Sequence, residues 1–458
     1  MTKRNFLTIA ICFLYLGSAY MSQFYRLMDY CDGDRVDLIT SFGNYMFQAA
    51  GIVLFMSLFK FKAEIAGSRI FFAVVLAFGT VFMALSQLSD SAVVIIWSGY
   101  VFNVHTGVVF GYYLTQFACF MHAGLASVMY GTAYAAGSIG TYVMSLIGDG
   151  DFLKSGIITV IYALLAAAAA VITLTGSPIS RSEPAGNRKA VTGPLIQLSV
   201  IVIIMTVISV IGSGLYFSLP QAEDVNWNLI RTFYSAGLII TGIVMDKDRR
   251  IGEILTTVSL IYPLIATALI GEGVTGTVTM GLGYFFRGCL TIYYVIMFAD
   301  IGKRTGRYFI APLGLCLSRV TESLITLILM SFKFTNLVQI VTTALFFVPL
   351  IILVIIRQTL SHQTVPDAQT QVPAAVIDVK QRLALFSHKY NLTAREAEIL
   401  ELMHDNMTDD EISARIGISR NTVRFHVSNI LKKTNSASRV EASRAVDLYI
   451  PGGMNPFQ

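Results

Sequence analysis

The spacing of apolar residues divides the chain into two unlike parts. Up to residue 357 apolar residues form long, nearly uninterrupted runs, and beyond it they recur every three or four positions among polar residues. A helix needs about 20 apolar residues to cross the ~30 Å core of a bilayer, where it satisfies its own backbone groups. Residues 1–357 therefore predict an all-α membrane domain with twelve spans. The runs are Phe6–Tyr25, Leu38–Phe59, Ile70–Ser86, Ala92–Gln116, Leu125–Ile147, Gly156–Gly176, Leu195–Leu219, Leu229–Met245, Ile254–Ile270, Val274–Ala299, Tyr308–Ser331 and Phe334–Ile356.

The charges between these runs predict the orientation in the bilayer. Loops rich in Lys and Arg stay on the cytoplasmic side. With the amino terminus inside, the inner segments hold fifteen Lys and Arg residues and the outer loops hold four. We therefore expect a multi-pass protein of the inner (cell) membrane, with the lipid bilayer around it and both termini in the cytoplasm.

Composition narrows the class of protein further. Charged residues make up 13% of the chain, against about 25% in soluble domains, which excludes an ordinary soluble enzyme. The five cysteines are scattered without a metal-ligand spacing, and no Gly-Lys-Ser/Thr phosphate loop or catalytic triad is present. We therefore predict no enzyme activity, no metal and no other cofactor.

The twelve runs form two groups of six, separated by the longer inner loop 177–193. Between the eighth and ninth runs lies the segment Gly242-Ile-Val-Met-Asp246-Lys247-Asp248-Arg249-Arg250. A Gly, three residues, an Asp and clustered cations are similar to the loop signature of the major facilitator superfamily. The resemblance implies two six-helix halves and an Asp that latches helix ends together in one state. Arg249 stands where the family usually has Gly, and another twelve-helix transporter-like bundle remains the alternative.

Polar residues within the apolar runs predict where a ligand would bind, because charge at bilayer depth costs at least ~2.5 kcal/mol. Arg287, and Arg319 with Glu322 three residues later, lie near the middle of the tenth and eleventh runs, and His105 near the middle of the fourth. Arg319 and Glu322 share a helix face and could simply neutralise each other, and His105 could be a core residue. The deep charges sum to one positive charge. We therefore predict a small-molecule effector, with a mild preference for an anion.

Residues 358–385 are polar, contain Pro366 and Pro373, and predict a flexible linker. After it, residues 386–458 predict four helices at Ala394–Met403, Asp409–Ile416, Arg420–Lys433 and Arg439–Tyr449. Three capping boxes begin at Thr393, Thr408 and Ser438, and Ser419 is a plain N-cap. Gly417 supplies a tight turn between the second and third helices, which together predict a helix-turn-helix.

Charge predicts which face of this domain meets a partner. Residues 413–444 contain seven cations and one acid, whereas the other acids cluster from Glu396 to Glu411. A basic face on a domain without net charge favours binding to phosphate. A solvated face on an unrelated four-helix module is the alternative at this stage.

The residues of this segment, taken in order, identify the family that it resembles. It contains Leu392-Thr393-x-Arg395-Glu396, Glu411-Ile412, Ile418-Ser419, Thr422-Val423, His426-Val427, Ile430, Lys432-Lys433 and Arg439, and it resembles the DNA-binding domain of the LuxR family of bacterial regulators. The resemblance implies that Arg420–Lys433 enters the major groove of double-stranded DNA. Arg424, Phe425 and Ser428 would face bases, Arg420, Thr422, Lys432 and Lys433 would hold phosphates, and Asn421 shares their face. Thr434 stands at a position where the LuxR family commonly has Leu. Because the last helix often forms the dimer contact, the resemblance also implies a homodimer through this domain.

The two parts together predict a membrane-tethered transcription regulator. No receiver domain precedes the DNA-binding domain, so the membrane domain is the candidate sensor of a small molecule. The alternative is a working secondary transporter whose tail regulates its own genes.

Overall fold

The structure, a computed structural model, describes residues 3–120, 125–147, 151–175, 179, 189–217, 227–262, 273–330, 379–405, 407–434, 436 and 438–447. Every regular element in these ranges is a helix, which confirms the all-α class. The chain divides into two compact units, Met1–His362 and Gln363–Gln458.

The first unit consists of helices that match the predicted runs. Its α-helices are α1 Lys3–Met28, α2 Gly33–Asp37, α3 Tyr45–Phe61, α4 Ala63–Ala66, α5 Arg69–Leu88, α6 Ala92–Phe120, α7 Ala126–Ser145, α8 Asp151–Lys154, α9 Gly156–Leu174, α10 Lys189–Phe217, α11 Trp227–Lys247, α12 Arg249–Ser259, α13 Gly273–Arg304 and α14 Leu313–Met330. A π-helix, Leu38–Asn44, joins α2 to α3, and a 3-10 turn, Tyr308–Ile310, precedes α14.

Nine segments within the described ranges are long and apolar enough to cross a membrane. They correspond to nine of the twelve predicted runs. The fifth run forms α7, which is rich in Gly, Ala, Ser and Thr and is not among the nine. The ninth run is described only in its first part, in α12, and the twelfth lies outside the described residues.

The two halves of the membrane unit pack against each other mainly through two pairs of helices. Within the first half, α1 packs on α7 and α9, and α6 packs on α3 and α5. Helix α11 packs on both α13 and α7, and α14 packs on α3. The first and second halves therefore meet along the α7–α11 and α3–α14 pairs.

The π-helix Leu38–Asn44 is a local departure that the sequence pattern did not predict. Such wide turns are uncommon and frequently lie at functional sites. The Ser323 hydroxyl on α14 donates to the Phe42 carbonyl oxygen in this turn, at 2.7 Å. A side chain of the second half thus satisfies a backbone group of the first half. The turn delivers Asn44 and Tyr45 to the interior of the unit, where α3 begins.

The second unit has its own hydrophobic core. Its helices are α15 Val379–Lys389, α16 Ala394–His404, α17 Asp409–Ile416, α18 Arg420–Thr434 and α19 Arg439–Asp447. The last four match the predicted helices, with the described end of α19 at Asp447. Helix α15 corrects the predicted boundary at 386, because it begins inside the predicted linker and buries Leu383 and Phe386 against the other helices. The remaining linker, 358–378, lies outside the described residues.

Two of the three predicted capping boxes, at Thr393 and Thr408, are present in full, and at Ser438 the bond from the Glu441 N–H to the hydroxyl is present at 3.2 Å. The backbone N–H of Thr393 donates to Glu396 at 2.7 Å, and that of Thr408 donates to Glu411 at 2.7 Å, with the reciprocal bonds to both hydroxyls. The Ser419 hydroxyl accepts from the Thr422 N–H at 3.2 Å. Gly417 has a φ of +67°, so the turn between α17 and α18 uses the left-handed region that glycine adopts without strain.

Candidate functional site

Helix α18 presents one face to its surroundings and buries the other. Val423, Val427 and Ile430 lie in the core of the unit. The opposite face, termed here the reading face, contains all eight residues that the sequence predicted for DNA contact, and every one is exposed: Arg420, Asn421, Thr422, Arg424, Phe425, Ser428, Lys432 and Lys433. Phe425 is 63% exposed, which is unusual for an aromatic side chain of a folded helix.

Two acids of α17 are paired with cations of the reading face. The Arg420 guanidinium lies 3.2 Å from the Asp410 carboxylate, and the Arg424 Nε lies 3.4 Å from the Asp409 Oδ2. The sequence had predicted acids and cations as separate clusters. The turn at Gly417 instead brings the first turn of α17 beside the first turns of α18. Each arginine must exchange its carboxylate for a nucleic-acid group if it is to bind DNA.

Asp409 also connects the reading face to the last helix. Its carboxylate receives the guanidinium of Arg439, which begins α19, as well as that of Arg424. Arg439 additionally donates to the Met407 carbonyl oxygen at 2.8 Å. Arg439 therefore has a structural role that its place in the basic cluster did not reveal.

Lys433 differs from the other residues of the reading face. Although predicted to hold a phosphate, its Nζ lies 2.6 Å from the Glu396 Oε2 and 3.1 Å from the Asn391 carbonyl oxygen. Burial raises the pKa of Glu396, but the hydrogen bonds from Lys433 and Thr393 outweigh this effect, so that the pKa lies below its ordinary value. Lys433 thus connects the end of α18 to the capping box of α16. This contact indicates a stabilising role for Lys433 within the domain, and its predicted phosphate contact stays a prediction.

In the membrane unit, three of the four predicted ligand residues come together. Glu322 on α14 receives the guanidinium of Arg287 on α13 and that of Arg319, the latter at 3.3 Å. Sequence spacing predicted the Arg319–Glu322 pair but gave Arg287 no partner. The cluster of three residues keeps one positive charge in excess, and Glu322 is buried.

Aromatic residues surround the second arginine of this cluster. The Arg319 guanidinium lies 4.1 Å from the ring centre of Tyr45, close enough for a cation–π interaction. Nearby, the Tyr234 hydroxyl donates to the Thr291 hydroxyl at 2.9 Å, and the Tyr294 hydroxyl donates to the same oxygen at 3.3 Å. Helices α3, α11, α13 and α14 therefore contribute polar groups to the region where the two halves meet.

His105 lies in a different environment. Its ring is buried against Phe102 and Tyr15 and covers Gly79, where a Cβ atom would overlap the imidazole. Among the described residues, both ring nitrogens lack a hydrogen-bond partner. These contacts lie between α1, α5 and α6 and include none of the arginine–glutamate cluster, which favours the core interpretation of His105.

The loop signature between α11 and α12 joins the two halves of the membrane unit through hydrogen bonds. Asp246, near the end of α11, accepts hydrogen bonds from the backbone N–H groups of Ser127 and Val128 at 2.9 and 2.8 Å. It thereby caps the first turn of α7, where a negative charge also meets the positive end of the helix dipole. Arg249 donates to the Ser127 hydroxyl at 2.7 Å and lies 3.3 Å from Asp300 on α13.

Comparison with known proteins decides the family of the second unit. Residues 390–446 match the family described as bacterial regulatory proteins, luxR family. These residues form a LuxR-type DNA-binding domain. The match begins at Tyr390, directly after the end of α15, and runs through α16, α17 and α18 to the last turn of α19. Helix α15 therefore lies upstream of the LuxR-type domain while sharing its core.

Curated relatives match short stretches of the chain. The chain is 44% identical over 52 residues to the probable transcriptional regulatory protein SgaR of Hyphomicrobium methylovorum, covering 11% of this chain and 25% of that protein. It is 33% identical over 78 residues to the uncharacterized response regulatory protein YgeK of Escherichia coli, covering 17% and 53%. The chain therefore spans between a quarter and about half of the length of these relatives.

A solved structure matches the fold of the remainder. The crystal structure of a variant of the E. coli fucose:proton symporter, FucP, superimposes with a TM-score of 0.54 at 12% identity, covering 77% of this chain and 95% of the symporter chain. The LuxR-type domain is therefore preceded by a unit with a transporter-like fold of the major facilitator kind.

Proposed function

We propose that the protein is a membrane-tethered transcription regulator in which the transporter-like unit senses a small molecule and controls the LuxR-type domain. The observation that carries this proposal is the presence of both units in one chain. A DNA-binding domain attached to a membrane is confined to a thin layer beneath it, so the local concentration of operator DNA becomes part of the control.

In the proposed complex with double-stranded DNA, helix α18 enters the major groove. Arg424, Phe425 and Ser428 face base edges, while Arg420, Asn421, Thr422 and Lys432 lie toward the backbone phosphates. Arginine binds guanine with two parallel hydrogen bonds, and an aromatic ring suits the methyl group of thymine. The exposure of these residues supports the assignment. Lys433 is assigned a stabilising role in this proposal, because its carboxylate partner Glu396 is buried in the domain.

The sensor works in the proposal through two states of the membrane unit. An effector binds at Arg287, Arg319 and Glu322, and the excess positive charge of this cluster favours an anion. The latch at Asp246 closes the inner ends of α7 and α11 in one state. An effector that binds one state better shifts the population toward it, and the shift alters dimerisation or DNA access of the tail.

Topology provides the first test of this proposal. The bias of fifteen inner to four outer cations supports a cytoplasmic carboxyl terminus at the inner (cell) membrane. A carboxyl-terminal fusion to alkaline phosphatase should be inactive, and a fusion to β-galactosidase should be active. The reverse result would place the LuxR-type domain outside the cell, where it could not meet a chromosome.

Regulation is tested by locating and then perturbing the bound DNA. Immunoprecipitation of the full chain from cells should recover a defined operator, and a reporter gene under that operator should respond to the effector. Arg287→Ala should abolish this response while leaving the amount of protein in the membrane unchanged. An intact response would remove Arg287 from the sensing site.

A working transporter with an autoregulatory tail is the second candidate, favoured by the symporter fold. Purified full-length protein in sealed vesicles separates the two. Accumulation of an effector inside the vesicles, at a rate that Arg287→Ala lowers, would support transport. A bound effector without flux supports the sensor.

A further inference from the structure

Four amide side chains form a buried network in the first half of the membrane unit. The Asn44 and Asn103 amino groups donate to the Gln23 Oε1 at 3.2 and 3.3 Å, and the Gln48 amino group donates to the Asn103 Oδ1 at 2.8 Å. The four side chains come from α1, the π-helix, α3 and α6, and all are at least nine-tenths buried. This network is termed the amide cluster below.

The amide cluster leaves both donors and acceptors unused. Among the described residues, the Gln23 Nε2, the Asn44 Oδ1 and the Gln48 Oε1 are buried without a hydrogen-bond partner. Turning the Gln23 amide over would set its amino group against those of Asn44 and Asn103, so an inverted assignment does not remove the deficit. Buried polar groups are otherwise almost always paired, and each exception calls for an explanation.

Holding the helices together does not explain the amide cluster well, because polar groups hold helices together only through hydrogen bonds that are formed, and several of these groups form none among the described residues. The helices already approach closely without it. Cβ atoms at Gly51 on α3 and Gly107 on α6 would overlap the carbonyl oxygens of Val104 and Gln48, so glycine alone allows this contact. A ligand hydroxyl group both donates and accepts hydrogen bonds, so it could bind an unpaired donor and an unpaired acceptor of the cluster together.

The amide cluster is joined to the arginine–glutamate cluster by one turn of chain. Asn44 belongs to the amide cluster, and the next residue, Tyr45, places its ring 4.1 Å from the guanidinium of Arg319. The Ser323 hydroxyl fixes this turn from the side of α14. Consecutive residues of the chain therefore belong to the two clusters, which is the basis for assigning both to one ligand below.

We propose that the effector is a hydroxylated carboxylate, whose carboxylate binds Arg287 and Arg319 and whose hydroxyl groups bind Gln23, Asn44, Gln48 and Asn103. This inference rests on the proposed sensing function and names its ligand class. A neutral polyol would leave the excess positive charge of the arginine–glutamate cluster without a counter-charge. An acid without hydroxyl groups would leave the amide atoms unpaired.

The test uses the full-length chain in lipid nanodiscs and three matched sets of probes. Each set contains a hydroxylated carboxylate, the acid that lacks its hydroxyl groups and a neutral polyol of the same carbon skeleton. The sets are lactate, propionate and 1,2-propanediol; gluconate, hexanoate and sorbitol; and mandelate, phenylacetate and 1-phenyl-1,2-ethanediol. Thermal unfolding is measured at millimolar concentrations of each probe. At least one hydroxylated carboxylate should raise Tm more than both of its partners do.

The double variant Gln48→Met/Asn103→Leu then removes amide groups while keeping their volume. Without probe, its Tm should stay close to that of the natural chain. The variant loses the bond between Gln48 and Asn103 and the bonds from Asn103 to Gln23 and to the Gly99 carbonyl oxygen, but it also removes the unpaired Gln48 oxygen and the cost of burying two amides. Its apparent Kd for the stabilising probe should be at least about tenfold weaker, the effect of losing one net hydrogen bond or more. Gln87→Met is the matched control, since Gln87 is a buried amide with both polar atoms unpaired among the described residues and lies outside the cluster.

Three results would overturn this inference. The first is that no hydroxylated carboxylate in the sets raises Tm, or that a polyol or a plain acid raises it as much. The second is that the double variant keeps the affinity of the natural chain. The third is that its Tm without probe falls far more than that of Gln87→Met, as loss of an adhesive network would cause. Operator DNA binding by the same nanodiscs, measured by fluorescence anisotropy, separates failure of this inference from failure of the proposed regulatory function.

Discussion

Two adjacent lysines at the end of α18 should have opposite effects when each is changed to methionine. Lys433 bonds to the buried Glu396, whose side chain is 4% exposed, whereas Lys432 is exposed on the reading face. Methionine keeps most of the length of the side chain and removes its charge. Lys433→Met should therefore destabilise the LuxR-type domain, and Lys432→Met should weaken DNA binding without changing stability.

The size of the first effect follows from the burial of the pair. Removing one partner of a fully buried pair costs about 3–5 kcal/mol. Lys433 is 36% exposed, so solvent screens part of the interaction, and we expect a loss of about 2 kcal/mol. For a domain of this size that loss lowers Tm by roughly 8–16 °C. Lys432→Met should stay within about 0.5 kcal/mol.

The assay is urea unfolding of the compact second unit, Gln363–Gln458, followed by circular dichroism at several pH values. The pKa of Glu396 is lower in the folded domain than its ordinary value. The stability that the pair contributes is therefore present at neutral pH and is lost as the pH falls through the folded pKa. The difference between the natural sequence and Lys433→Met should narrow in acid. Equal unfolding midpoints for the two lysine variants at neutral pH would refute the structural role of Lys433.

Three further changes test the other contacts. Asp410→Asn frees Arg420 from its carboxylate partner and removes a negative charge near the DNA phosphates. Operator binding, measured by fluorescence anisotropy, should therefore tighten by about 0.5–1 kcal/mol, or roughly two- to fivefold. Weaker binding would show that Asp410 supports the interface. Arg424→Ala should cost about 1–3 kcal/mol and relax the preference at one base position, as measured by selection from random DNA, and an unchanged preference would displace Arg424 from the reading face. Asp246→Asn weakens the cap of α7, so backbone hydrogen exchange in its first turn should quicken in full-length protein; unchanged exchange would mean that the latch does not hold this end.

Local features of the fold could be predicted from the sequence because their causes are local. The capping boxes at Thr393 and Thr408 and the glycine turn at Gly417 depend on residues within a few positions of one another, and all three are present. Helix α15 was missed because the polar, Pro-containing segment before it dominates the pattern. Its apolar side chains, Leu383 and Phe386, become meaningful only when the rest of the core is known.

Contacts between distant residues could not be predicted in the same way. The Arg287–Glu322 pair joins two helices, and the Lys433–Glu396 pair joins residues whose separation along the chain carries no signal. The π-helix before Tyr45 has no sequence signature that distinguishes it from an ordinary turn of helix. The candidate site residues could therefore be selected by type and depth, but their partners required the fold.

The carboxylate of Asp409 couples helix α18 to helix α19, because it pairs with an arginine from each of them. Because Arg424 and Arg439 draw on the same anion, any event that pulls one of them away strengthens the hold on the other. If the proposed dimer forms through α19 and Arg424 binds a guanine as proposed, the two events are linked reciprocally, and each changes the affinity of the other by the same factor. In the proposed dimer, the carboxylate of Asp409 would then couple the pairing of two subunits to the DNA sequence that they prefer.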